Sequence, residues 1–187
     1  MKNNFVRLLV KIKPTWYYAF KHWRERGKGK KMCKIFDPLL ASNNFIERAK
    51  NDKIDISPMK LQKLLYFLYR DYLHQTGDPL FSDRFETWQY GPVLSCVYHA
   101  FRNYGSNSIS DFYVDSEGKA RKIHDAVNDV FARTLNTVWD KYKPFSGMEL
   151  SRMTHEPHTA WYKSWMNDDV FLLDDDIKAE ANYEQEG

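Results

Sequence analysis

His155, Glu156 and His158, in the stretch THEPH, place two imidazoles and a carboxylate close together along the chain, the materials of proton transfer or of a metal site. The spacing argues against both uses. Two histidines three apart with Pro157 between them do not reproduce the H-E-x-x-H helix geometry, and no third ligand follows. His155 is therefore read as a hydrogen-bonded structural residue near a helix end. The chain has two cysteines, Cys33 and Cys96, too few for a disulfide framework or a four-cysteine zinc site, and a reducing cytoplasm suits them. There is no phosphate-binding glycine loop and no nucleophile with a base at a recognised spacing. The expectation is a chain without catalytic residues, metal ligands or cofactor.

Recognition chemistry is more visible. Thirty aromatic residues (12 Tyr, 12 Phe, 6 Trp) make up 16% of the chain, and Tyr and Trp are favoured where proteins meet. In MKLQKLLYFLYRDYLH, residues Lys63, Phe67, Arg70 and His74 recur at i, i+4, i+7 and i+11. This narrow ridge lies opposite the leucines and is expected to reach solvent. An apolar anchor flanked by charged donors makes it the candidate partner contact.

The elements that position these residues read as helices. Asp37-Pro38 and Ser57-Pro58 pair an N-cap with a first-turn proline, predicting helices from 38 to about 50 and from 58 onward. Leu61, Leu64, Leu65, Leu68 and Tyr72 share one face of the second, with Tyr66, Tyr69 and Leu73 widening it. Alternation at Glu86, Trp88 and Tyr90 predicts a short extended segment. Gly91 then supplies turn freedom, and Pro92 is expected to open a helix through Val97 and Phe101 to Gly105. DFYV (112–114 with Asp111) is a candidate strand. A long helix is expected over Ile123, Val127, Val130, Phe131, Thr134, Val138 and Trp139 to about Tyr142, and Ser146 with Glu149 forms an S-x-x-E box opening another. A terminal helix around Ile177 and Tyr183 is a further candidate. The fold class is mainly α, a compact single-domain bundle of five to six helices with at most a short β hairpin.

The net charge of +3 averages two unlike parts. Residues 1–31 hold ten Lys/Arg against Glu25, a net of +9, which leaves 18 basic and 24 acidic residues in 32–187 from the chain's 28 and 25. The boundary is placed near Met32, also an alternative start. The leader carries Phe5, Leu8, Leu9 and Ile12 at helical spacing, breaks at Pro14 and resumes with Trp16, Phe20 and Trp23. It is neither a clean secretory signal nor long enough to span a membrane, for which ~20 apolar residues are needed. Contact with nucleic acid or an anionic membrane surface is expected only through this basic amphipathic extension, if at all.

Taken in order, KLQKLLYF, GDPLF, FETWQYGPV, VYHAFRNYG and ELSRMTHEPHTAW resemble the Panacea antitoxin domain, the SocA-like group often labelled phage-associated, over about residues 35–180. The resemblance implies a largely helical, non-enzymatic domain that neutralises a toxin encoded beside it by direct binding. Leu61, Lys63, Leu64, Tyr66, Trp88, Tyr90, Gly91, Pro92, Tyr98, Thr154, His155 and Trp161 match the motifs. Because the toxins of the group are diverse, these are expected to be scaffold, with partner choice at more individual positions. The group often carries proline immediately before the last tryptophan, where this chain has Ala160.

Two other functions share these features. A proteolytic adaptor needs the same toxin-binding surface plus a protease contact. A nucleic-acid-binding regulator would use the leader, with Trp16, Tyr17 and Trp23 among its basic residues. Salt-dependent nucleic-acid binding lost on deleting residues 1–31 discriminates the latter.

Overall fold

The computed structural model describes residues 35–186, with side chains to Glu180. The basic segment 1–31, the boundary at Met32 and the side chain of Tyr183 lie outside the described residues and side chains. Asp37 caps α1 (Pro38–Asp52) by accepting from Leu39 N at 2.8 Å, and Pro38 occupies a position whose N–H would have no helical partner. Ser57 and Pro58 repeat the device at α2 (Pro58–Thr76), which closes where Gly77 takes φ 71° and donates to Leu73 O.

An antiparallel hairpin follows, β1 (Glu86–Trp88) with β2 (Gly91–Val93), setting Thr87 opposite Pro92 and Trp88 opposite Gly91. Next come α3 (Ser95–Phe101), α4 (Asp129–Tyr142), α5 (Gly147–Met153), α6 (Ala160–Met166) and α7 (Asp174–Glu186). The fold is mainly α, and α6 brings the described helices to seven, one above the upper expectation. No described helix is long and apolar enough to cross a membrane.

The core is organised around α2, against which α1, α3, α4, α5, α7 and β2 all pack. Leu61, Leu64, Leu65, Tyr66 and Leu68 are wholly buried. Each such leucine contributes about 1.5–3 kcal/mol. Gly147 opens α5 so close to the first turn of α2 that a Cβ there would lie 2.8 Å from Lys60 N and 3.2 Å from Met59 Cβ. Backbone cannot swing aside as a side chain does. Gly147→Ala is therefore expected to cost about 1–3 kcal/mol, read as a lowered urea midpoint.

Three expectations are corrected. Pro92 does not open a helix; it sits in β2, where a residue without N–H is tolerated, and α3 begins at Ser95. The long helix begins at Asp129, after a 3-10 turn at Asp125–Val127, because Asn128 caps it by accepting from Val130 N and Phe131 N. The segment before it is held by α1 instead. Asn44 exchanges two bonds with the backbone of Ile123 (3.0 and 2.8 Å), and Asn43 bonds Tyr113 N, Tyr113 O and Arg121 O. The same Asn43 explains why DFYV forms no strand: a buried side chain takes the place of a neighbouring strand.

Candidate partner-binding surface

The hairpin joins parts of the chain that are far apart in sequence. Trp88 and Gly91 face one another, so Gln89 and Tyr90 make the turn, and Gly91 adopts φ 98°. That backbone sends its carbonyl oxygens into a ring of donors. Trp161 Nε1 donates to Trp88 O (2.9 Å), Ser151 Oγ to Tyr90 O (2.9 Å) and Lys63 Nζ to Pro92 O (2.9 Å). Each ring nitrogen of His155 lies against a carbonyl, Nδ1 against Ser151 O and Nε2 3.1 Å from Gln89 O. Both neighbours are acceptors, so a ring with one N–H donates to either the α5 carbonyl or the turn carbonyl, and only a ring with a hydrogen on each nitrogen donates to both. Thr154 Oγ1, donating to Ser151 O at 2.7 Å, fills the space that the missing Gly91 side chain leaves. Trp88, Tyr90, Gly91, Pro92, Thr154, His155 and Trp161 thus meet at one place, and Tyr98 joins them edge-on to Trp88 at 4.8 Å. Leu61, Leu64 and Tyr66 lie in the core beneath.

Lys63 is 1% exposed and its hydrogen-bond partner is a neutral carbonyl, so burial pushes its ammonium down from 10.5 to about 7. The folded chain releases this proton near pH 7, whereas the unfolded chain holds it to about 10.5. Proton uptake therefore favours unfolding between those values, and this group's contribution to stability rises with pH. Relative to Lys63→Met, the wild-type chain is expected to gain up to about 1.4 kcal/mol per pH unit between about pH 7 and 9. Urea unfolding of both proteins across that range checks it; parallel profiles would refute it.

Around this ring the surface is aromatic. Tyr90 is 54% exposed, Tyr98 37% and Trp165 45%, the last stacked on buried Trp161 at 5.1 Å. Trp88 is half-buried, its Nε1 donating to Glu86 Oε2 at 2.7 Å. Beyond β1 the segment through Phe171 pairs as a further extended stretch: Thr87 N donates to Val170 O and Leu172 N to Phe85 O, both at 2.9 Å. Arg84 lies over the exposed Phe171 ring at 4.6 Å.

The expected solvent-facing ridge is not on this surface. Lys63, Phe67 and Arg70 are each 1% exposed, and His74 is half-buried. Helices cover the side of α2 that its periodicity assigns to solvent. Phe67 stacks on Tyr142 of α4 at 4.2 Å. Arg70 pairs through Nη1 with Glu180 of α7 (3.3 Å), through Nε with Asp71 (2.8 Å), and donates from Nη2 to Tyr142 OH (3.1 Å). Glu180 is the buried partner that the sequence does not announce, because it sits in an acidic stretch that looks solvated. Its signal was Ile177, buried and three residues earlier on the same helix face. Glu180 Oε2 also accepts from Tyr66 OH (2.5 Å) and from Ala160 N (3.0 Å). The N–H that a proline would lack at position 160 is used here.

Among the described residues no group of three or more His, Cys, Asp or Glu is placed to hold a metal ion. His158 lines an open cleft of about 440 Å³ between α6 and α7 with Tyr162, Lys163 and Asp176.

The family model described as "Antitoxin SocA-like, Panacea domain" matches residues 61–162, just over half of the chain. That span includes every donor and every carbonyl of the hairpin ring and excludes Glu180. A curated protein named Antitoxin SocA, from Caulobacter vibrioides (strain NA1000 / CB15N), is 38% identical over 73 residues, which is 39% of this chain and 39% of that protein. The match thus spans about two-fifths of the length of that relative. No solved structure matches the chain.

Proposed function

The chain belongs to the antitoxin SocA-like Panacea family, and from that membership we propose that it neutralises a cognate protein toxin in the cytoplasm by direct binding, without catalysis. One observation supports the reading above others. The side chains that resemble catalytic groups, Lys63 and His155, lie against backbone carbonyls of the hairpin and of α5, while the exposed residues beside them, Tyr90, Tyr98 and Trp165, are of types that anchor protein interfaces. Neutralisation of this kind needs complementary area, about 1,600 Å² in total, over the toxin's active surface.

Co-expression with the product of the adjacent reading frame tests the proposal. Growth is expected to be restored, and the two proteins are expected to co-purify and to remain inactive together in a protease-free mixture. Neutralisation that occurs only when a protease is present would replace direct blocking by the adaptor reading. A chain begun at Met32 is expected to neutralise equally, because the ring and its supporting helices lie beyond that point. Salt-dependent DNA or RNA binding lost with residues 1–31 would favour the regulator instead.

A further inference from the structure

The segment between α6 and α7, residues 167–173, carries a feature that the hairpin ring does not use. Its inward backbone groups are satisfied by β1, through Val170 O and Leu172 N. In an extended chain the intervening residue points its N–H and C=O the other way. Those groups of Phe171 have no hydrogen bond among the described residues, so the sheet ends in an open edge. The edge is apolar: Val170 is 67% exposed, Leu173 50% and Phe171 37%. It is also acidic. Asp168, Asp169 and Asp175 are exposed and form no ion pair among the described residues, and these three carboxylates outweigh the exposed Arg84 guanidinium over the Phe171 ring, whereas Asp174 accepts from Tyr69 and Asp176 is paired with Lys163.

Natural sheets protect open edges, and the charge here decides what this one can accept. A second copy would bring the same carboxylates into register and be repelled. Nucleic acid and anionic membranes are repelled likewise. We propose that this edge receives an extended, basic segment of the toxin as an added strand, exchanging both backbone bonds with Phe171 and setting Lys or Arg side chains against Asp168, Asp169 and Asp175. The proposal rests on the antitoxin reading and adds the partner's chemistry to it.

The test measures binding of the purified product of the adjacent reading frame to the wild-type chain, to Asp168→Lys/Asp169→Lys/Asp175→Lys, to Phe171→Pro and to Phe171→Ala, with melting temperatures for all. The triple variant is expected to bind at least about tenfold more weakly, and the wild-type affinity to fall as salt rises from about 0.05 to 0.3 M. Phe171→Pro removes the open N–H and is expected to bind more weakly than Phe171→Ala. If the proline does not fold, the triple variant and the salt series decide. Undiminished binding by the folded triple variant overturns the edge proposal and leaves the antitoxin reading standing. No binding by the wild-type chain overturns both.

Discussion

Glu180→Leu is expected to destabilise the chain by about 3–5 kcal/mol, the loss typical of breaking a buried ion pair by removing one partner. Glu180 is 2% exposed and serves three donors on two elements: Arg70 and Tyr66 on α2, and Ala160 N at the first turn of α6. Leucine fills the volume but accepts nothing. The Arg70 guanidinium, 1% exposed and unable to shed its charge, keeps only Asp71 and Tyr142 among these partners. Removing both charges should cost much less, since a buried pair is often replaced by apolar residues with little net change. The double variant Arg70→Leu/Glu180→Leu is therefore expected to be more stable than Glu180→Leu alone. Chemical unfolding of the two single variants and the double gives the coupling directly, and simple additivity would show that the pair is not a unit.

The same pair has a pH signature. Burial raises the Glu180 carboxyl above 4.5, and Arg70, Tyr66 and Ala160 N oppose that shift. A carboxyl whose folded value lies above its unfolded one binds its proton more tightly in the folded chain, so stability falls as pH rises from the unfolded value through the folded one. Arg70→Leu removes an opposing charge and widens the window. That variant should lose stability from about pH 4.5 upward more steeply than the wild-type chain.

The helix ends were legible because capping is local: Asp37, Ser57 and the Ser146–Glu149 box act within three residues of themselves. The buried ridge was illegible for the opposite reason. Periodicity on α2 identifies one apolar face and assigns polar residues elsewhere to solvent, but Gln62, Lys63 and Arg70 find partners 32, 29 and 110 residues away. A central helix covered on all sides reads as amphipathic when its buried polar groups are satisfied at long range. The hairpin was half legible. Alternation at Glu86 and Trp88 gave β1, but proline suits both a first helical turn and a strand that needs no N–H, and only pairing opposite Thr87 separates them. The family motifs located the residues of the ring without revealing that its acceptors are carbonyls of the turn. The aromatic rim around it, Trp165 above all, carried no pattern that distinguishes it from core.

Gly91→Val should lower stability by about 2–4 kcal/mol and reduce neutralisation in the same proportion. Two costs combine. At φ 98° a β-branched residue is strained whatever its surroundings, and a Cβ would stand 2.5 Å from Thr154 Oγ1, 2.8 Å from Lys63 Nζ and 2.9 Å from Lys63 Cε. Neither neighbour is free to retreat: Thr154 is wholly buried and bonded to Ser151 O, and Lys63 is enclosed and bonded to Pro92 O. Displacing them loosens the donors that hold the hairpin, and the aromatic rim moves with it. Gly91→Ala shares the Cβ and should show most of the loss. In a Thr154→Ala background, where the nearest atom is gone, the added cost of Gly91→Ala should shrink, a coupling that melting curves of the four proteins measure. Full stability with lost toxin binding in Gly91→Val would instead place the turn itself in the interface.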